Sequence, residues 1–173
     1  MDGRTTGRPD DRTFMSRALR LASLSLGRTW PNPGVGCVLV RDGVILADGR
    51  HEVCGGLHAE TAALARCRDA RGTTAYVTLA PCTRHGRQPP CTDALIRAGV
   101  ARVVAAIADP HQDDAGAVLA AAGIAYEVGC LGHLARHVHG GFLCRVARGR
   151  PRLTGKWARS PDGFLAAAPG ERT

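Results

Sequence analysis

Three residues that bind soft divalent metals, and one carboxylate, have the spacing in this chain that a hydrolytic metal site requires. His58 precedes Glu60 by two positions, and Cys82 and Cys91 follow further along the chain. One imidazole and two thiolates form a three-ligand set for Zn²⁺ that leaves the fourth position open for water. A carboxylate beside such a site can carry protons to and from that water. The sequence therefore predicts a catalytic zinc centre with His58, Cys82 and Cys91 as ligands and Glu60 as the proton carrier.

The spacing of the two cysteines separates this motif from its commoner form. Zinc nucleobase deaminases pair a His-x-Glu segment with Pro-Cys-x-x-Cys, which places two residues between the thiolates. Here eight residues lie between Cys82 and Cys91. A zinc ion that only stabilises the fold would normally have a fourth protein ligand. The spare Glu60 favours the open, catalytic site over that structural alternative.

The composition fits one globular domain. A chain of 173 residues with 45% hydrophobic side chains is long enough to bury a core. No apolar stretch approaches the roughly 20 residues that span a bilayer, and residues 1–12, which we expect to form a flexible arm, lack the apolar core of a secretory signal. Seven cysteines, an odd number, suggest reduced thiols. We therefore expect a cytoplasmic protein that does not associate with membranes.

The formal net charge of +8 raises the question of nucleic acid binding. Lys156 is the only lysine, however, and the arginines are scattered along the chain rather than gathered in one stripe. Nucleic acid is therefore not the expected partner.

Hydrophobic periodicity predicts helices that alternate with strands after one initial hairpin. Such an order indicates an α/β domain with a mixed sheet, and ligands in these sheets bind beyond the carboxyl ends of the strands. Cys82 directly follows one predicted strand, which places the metal motif at that edge. The predicted helices cover residues 13–26, 58–68, 91–98, 115–122 and 131–146, and the predicted strands cover 35–39, 44–46, 75–79, 103–107 and 124–128.

Several longer segments resemble one family. Over roughly residues 13 to 165 the chain is similar to the deaminase domain of the bacterial riboflavin-biosynthesis deaminase/reductase enzymes, in the cytidine-deaminase-like superfamily. The wide cysteine spacing with its Gly-Arg-x-Pro-Pro-Cys ending is the most specific part of the resemblance. The matching segments are Thr29 to Cys37, Gly49-Arg50-His51, His58-Ala59-Glu60, Pro81-Cys82, Gly86 to Cys91, Ala94 to Val100 and Asp109-Pro110.

The resemblance implies a three-layer αβα sandwich and a zinc-dependent hydrolytic deaminase. The implied reaction converts 2,5-diamino-6-ribosylamino-4(3H)-pyrimidinone 5′-phosphate to 5-amino-6-ribosylaminouracil 5′-phosphate and ammonia. It also implies a homo-oligomer and a separate reductase that acts next. The implied substrate-binding residues are Asn32, His51, Ala59, Arg84, Arg87 and Asp109. Purely structural alternatives stay open for these residues. Asn32 and Asp109 could stabilise turns, His51 could cap a strand end, and Arg84 and Arg87 could be solvated.

Two departures from the family pattern leave the exact substrate open. Arg84 stands where the family usually has a histidine near the phosphate, and the loop at 109–116 is shorter and more acidic. One alternative is therefore a related deaminase of specialised metabolism that acts on a different pyrimidine or purine-like compound. Another is a non-catalytic binding partner of a reductase, although such a protein would not need Glu60.

Residues 149–173 resemble the linker and first strand of the family's reductase domain. One strand cannot form a nucleotide-binding domain, so the chain is either a stand-alone deaminase with a remnant tail or a truncated bifunctional enzyme. We expect the stand-alone form, because Pro161 would weaken a strand in any sheet.

Overall fold

The computed structural model describes residues 9–164, in which a five-stranded mixed sheet lies between two layers of helices. This confirms the predicted α/β class and its layered arrangement. The helices are α1 (Pro9–Ser23), α2 (Ala59–Arg66), α3 (Cys91–Arg97), α4 (Ala115–Ala121), α5 (Gly132–Val138) and α6 (Gly140–Arg148). The strands are β1 (Gly36–Arg41), β2 (Val44–Arg50), β3 (Thr74–Val77), β4 (Arg102–Ala105) and β5 (Ala125–Val128).

The sheet has the order β2-β1-β3-β4-β5. Strand β1 pairs antiparallel with β2 and β3, whereas β3, β4 and β5 are mutually parallel. The predicted initial hairpin is confirmed, and Asp42 and Gly43 form its turn. Both residues have positive φ angles, 53° and 75°, as the tight turns between twisted strands require. Because β3 and β4 are parallel, the segments that follow them leave the same edge of the sheet.

Two hydrophobic cores fill the space between the layers, and strand alternation separates them. Val38 and Val40 of β1 pack in the core that contains α1 and α5. Cys37 and Leu39, the intervening residues, pack in the core that contains residues of α2 and α3. Burial of both faces explains why the strands are apolar runs rather than alternating sequences.

The first helix begins earlier than predicted, at Pro9 rather than near residue 13. Residues 9–12 therefore belong to a helix and not to a flexible arm; the rest of the proposed arm lies outside the described residues. Asp10 and Asp11 occupy the first turn, where the helix dipole favours negative charge. Asp11 also accepts hydrogen bonds from Tyr76 and Arg102, so long-range contacts hold this turn in place.

The final helix is not continuous, as the prediction for 131–146 had it, but is divided into α5 and α6 at His139. The His139 ring is buried and lies 3.1 Å from the Thr78 hydroxyl through Nε2. Gly140 and Gly141 follow at once, and glycine is a poor helix former. Helix α5 therefore ends at His139, whose buried ring contacts Thr78, and α6 begins directly after it.

The described part of the tail contains no helix or strand between 151 and 164. Pro161 lies in a turn that Ser160 and Phe164 close by hydrogen bonds. None of the described helices is long and apolar enough to cross a lipid bilayer.

Two glycines allow helices to approach the hairpin closely. A methyl group at Gly36 would overlap the backbone of α1 at Ala18, and one at Gly49 would overlap the backbone of α2 at Ala59 and Ala63. Backbone-to-backbone contact therefore sets the distance from α2 to β2.

Candidate active site

The three predicted metal ligands meet where two helices begin. His58 is the residue before α2, Cys91 is the first residue of α3, and Cys82 lies in the segment that follows β3. Their ligand atoms all lie within 4.8 Å of one another. His58 Nδ1 is 3.3 Å from Cys91 Sγ and 3.6 Å from Cys82 Sγ. The structure brings together residues that lie up to 33 positions apart in the chain.

This donor set fits a zinc ion. One imidazole and two sulfur atoms are soft to borderline ligands that Zn²⁺ prefers. Within residues 9–164 no fourth histidine, cysteine or carboxylate joins the cluster, so these residues would supply three ligands to a zinc ion and leave a fourth position for water.

Hydrogen bonds within the cluster shift the pKa values of the metal ligands. Hydrogen bonding from Cys91 lowers the pKa of Cys82 below its ordinary value, and hydrogen bonding to Cys82 raises the pKa of His58. The backbone N–H of Cys91 also donates to Cys82 Sγ at 3.2 Å. Zinc ligands bind in their deprotonated forms, so metal binding at this cluster would release protons.

Glu60 lies in the first turn of α2, beside this cluster, and only 4% of its surface is exposed. Burial raises the pKa of its carboxyl group to about 7. A group with this pKa can accept and donate a proton near neutral pH, which is the property that general acid–base catalysis requires. Glu60 thus lines the same cavity as the metal ligands His58 and Cys82.

Two neighbouring cavities lie beside the cluster and share several lining residues. The first, here called the inner cavity, has a volume of about 220 Å³ and reaches Glu60. The second, the outer cavity, has a volume of about 460 Å³ and reaches the segment between the two cysteines. The residues that line both are Asn32, His51, His58, Cys82, His111 and Gln112.

All six predicted substrate-binding residues border these cavities. Asn32 and His51 line both, Ala59 and Asp109 line the inner cavity, and Arg84 and Arg87 line the outer cavity.

His51 has a defined tautomer. Its Nδ1 lies 2.9 Å from the carbonyl oxygen of Leu57, which can only accept, so Nδ1 must carry the proton. Burial lowers the pKa of His51, which keeps the ring neutral. Nε2 is then an acceptor, and it is buried without a partner among the described residues. This favours a ligand-binding role over a strand cap.

The two arginines differ in how they are neutralised. Arg84 donates to Asp113 at 2.9 Å in an exposed ion pair. Arg87 has no ion-pair partner within residues 9–164.

Asp109 stabilises a turn and also borders the site. Its carboxylate accepts a hydrogen bond from the backbone N–H of His111 at 2.9 Å, and the residue lines the inner cavity.

Sequence reasoning missed the residues of α6 and of the loop after β4 that line the inner cavity. Phe142 and Arg145 of α6 form part of its wall, and His111 and Gln112 were not recognised as site residues. Phe142 and Arg145 are three positions apart and therefore share a helix face. The three-residue spacing is visible in the sequence, but it does not indicate which part of the molecule that face of α6 contacts.

Comparison with known proteins agrees with this geometry. The family described as the cytidine and deoxycytidylate deaminase zinc-binding region matches residues 8–107. The riboflavin biosynthesis protein RibD of Escherichia coli (strain K12) is 48% identical over 165 residues, which are 93% of this chain and 45% of that protein. The diaminohydroxyphosphoribosylamino-pyrimidine deaminase of Buchnera aphidicola is 40% identical over 82% of this chain and 99% of its own length.

Among solved structures, the deaminase/reductase of Thermotoga maritima, described as a diaminohydroxyphosphoribosylaminopyrimidine deaminase and 5-amino-6-(5-phosphoribosylamino)uracil reductase, superimposes with a TM-score of 0.86 and 40% identity. The match covers 91% of this chain and 47% of that one. The chain thus spans about half the length of its bifunctional relatives and nearly the whole length of the Buchnera enzyme.

Proposed function

From the premise that this chain belongs to the zinc-binding cytidine and deoxycytidylate deaminase family, and to its diaminohydroxyphosphoribosylaminopyrimidine deaminase branch, we propose a specific reaction. The chain removes the 2-amino group of 2,5-diamino-6-ribosylamino-4(3H)-pyrimidinone 5′-phosphate by hydrolysis. The products are 5-amino-6-ribosylaminouracil 5′-phosphate and ammonia, in riboflavin biosynthesis. One observation carries the proposal: Glu60 lines the inner cavity together with His58 and Cys82 of the metal-ligand cluster, and the neighbouring outer cavity is lined by Arg84 and Arg87.

In the proposed reaction a carbon–oxygen bond forms at C2 of the ring and the bond to the amino nitrogen breaks. Zinc, when bound by His58, Cys82 and Cys91, lowers the pKa of a bound water to about 7 and so makes it nucleophilic at neutral pH. The Glu60 carboxylate accepts the proton that the water loses. The resulting Glu60 carboxylic acid donates a proton to the departing nitrogen, which leaves as ammonia.

The ring occupies the inner cavity, because only that cavity reaches Glu60. Neutral His51 offers Nε2 as an acceptor to an N–H or O–H group of the substrate. The Asn32 amide can both donate and accept at the junction of the two cavities. Together these residues orient the ring rather than react with it.

The phosphate lies in the outer cavity, beside Arg87. A guanidinium can donate two parallel hydrogen bonds to phosphate oxygens. Arg84 is the weaker candidate, since its charge is already neutralised by Asp113.

The pairing of Arg84 with Asp113 also supports a second candidate function, a deaminase that acts on a different pyrimidine or purine-like substrate. An anion site with one neutralised arginine attracts a doubly charged phosphate less strongly. We further propose that a separate reductase consumes the product and that the chain forms a homo-oligomer, as expected from the family.

The experiment is an ammonia-release assay on protein loaded with zinc, whose metal content is measured in the same sample. We expect release from the diaminopyrimidinone ribotide and none after zinc is removed by a chelator. The alternative substrates are cytidine, dCMP and 2,6-diaminopurine. Release from one of these alone would establish the second candidate function, and no release from the ribotide by zinc-loaded protein would refute the first.

A further inference from the structure

We propose that Arg145 is a positioning residue: from α6 it holds the segment 30–33, and with it the Asn32 side chain, against the active-site cavities. The kinetic part of this inference rests on the proposed function. The structural part does not.

Arg145 contacts this segment in two ways. Its Nη2 donates a hydrogen bond of 3.2 Å to the carbonyl oxygen of Pro31. Its guanidinium carbon lies 5.6 Å from the centre of the Trp30 ring and 5.8 Å from that of Phe142. A planar cation can stack on aromatic faces while it donates in its own plane, and lysine cannot do both.

Electrostatic pairing does not explain this arginine. Within the described residues Arg145 has no carboxylate partner, and its Nε is buried without a hydrogen-bond acceptor. A partly buried cation without a counter-ion is unfavourable. We therefore infer that the contacts of Arg145 with Trp30 and Pro31, which hold that segment in place, are the reason for an arginine at this position.

Asn32 needs support from outside because its own side chain is weakly held. Its amide makes one side-chain contact within residues 9–164, at 4.0 Å from Cys54 Sγ. Its backbone N–H donates to Thr29 at 2.8 Å, which closes a turn but leaves the side chain unrestrained. The backbone of residues 30–33 therefore determines where the Asn32 amide lies. Arg145 binds that backbone at Pro31, the residue before Asn32.

The kinetic test compares Arg145→Met with Arg148→Met, which removes an exposed arginine from the same helix. We expect Arg145→Met to raise KM for the ribotide about tenfold, while kcat changes less than about threefold, because ground-state placement of the ring is lost. Arg148→Met should leave both constants unchanged. None of the side chains of α6 is fully buried, so both variants should fold.

A double-mutant cycle with Asn32→Ala decides whether Arg145 acts through Asn32. If it does, Arg145→Met should raise KM little further once the amide is gone. Full additivity of the two effects would mean that Arg145 binds substrate independently, and would overturn the proposal.

A fluorescence test needs no substrate and so separates this inference from the proposed function. The chain has two tryptophans, and Trp157 is exposed in the tail, so Trp157→Phe leaves Trp30 as the single reporter. In that background Arg145→Met should lower the emission anisotropy of Trp30, because the ring loses its stacking partner, and Arg148→Met should not.

Arg145→Lys distinguishes the contact from the charge. Lysine keeps the charge but not the planar stack, so we expect both KM and anisotropy to stay closer to those of Arg145→Met than to those of the parent protein. Complete rescue of both by lysine, or an unchanged anisotropy in Arg145→Met, would overturn the positioning role.

Discussion

Buried polar groups are paired around Asp11 and left partly unpaired around the active-site cavities. On the α1 side of the sheet, Asp11 accepts from Tyr76 at 2.7 Å and from Arg102 at 2.8 Å and 2.9 Å, and Arg102 also donates to Glu127. This set, the Asp11 network, leaves none of these charges without a partner.

Around the cavities the pattern is reversed. His51 Nε2 and Arg145 Nε are buried without partners among the described residues. Burial raises the pKa of Glu60 to about 7. Unpaired polar atoms reduce stability, so they persist where a ligand or a reaction uses them. The contrast separates residues that hold the fold from residues that serve the site, and four experiments test it.

The largest effect is expected at Glu60. Glu60→Gln keeps the size of the side chain but cannot carry a proton, so kcat should fall roughly 10³-fold. The melting temperature should not fall. The control is Glu52→Gln, at an exposed glutamate outside both cavities. Deaminase assays and thermal melts of both variants measure this, and substantial turnover by Glu60→Gln would contradict the catalytic assignment.

The next effect is expected in the Asp11 network. Arg102→Met removes the Arg102 guanidinium from the buried Asp11 carboxylate, which should lower the free energy of unfolding by about 3 to 5 kcal/mol. Activity per folded molecule should be retained. Urea titration gives the free energy, and Arg17→Met, which breaks an exposed pair with Asp48, should cost less than about 1 kcal/mol. Equal losses in the two variants would remove the distinction between the regions.

A smaller effect concerns the pH dependence of stability in metal-free protein. The folded-state pKa of Glu60, about 7, lies above the ordinary glutamate value. Between these values the folded chain binds the extra proton, so stability falls as the pH rises. Wild-type protein should therefore lose on the order of 2 to 3 kcal/mol more than Glu60→Gln between about pH 5 and about pH 8. Parallel urea titrations in chelator measure the difference, and identical curves would show that Glu60 titrates normally.

The smallest effect is expected in the outer cavity. Arg87→Gln should raise KM for the ribotide about tenfold, and Arg84→Gln only about threefold, because Asp113 already neutralises Arg84. Asp113→Asn should lower KM by freeing Arg84. Steady-state kinetics at constant ionic strength test both, and a larger effect from Arg84 would reverse their assignment.

The sequence predicted the metal site well because its residues stand in short motifs. His58 and Glu60 lie two positions apart, and Cys82 and Cys91 bracket one segment, so spacing alone specifies the chemistry. The order of strands and helices was equally visible in the alternation of apolar runs.

The missed features depend on contacts between distant segments. Arg102 and Asp11 lie 91 positions apart, and no local pattern pairs them. Arg145 lies 114 positions after Pro31, to which it donates. The division of the last helix required the contact of His139 with Thr78, although Gly140-Gly141 was a local sign of it.

The bare surface of β2 at Gly49 limits how this enzyme could be redesigned. Since α2 rests on the hairpin with no side chain between, a larger residue at Gly49 would push Glu60 away from the cysteines instead of being absorbed by repacking. A smaller residue at Phe142, which also lines the inner cavity, would therefore enlarge it without disturbing the hairpin.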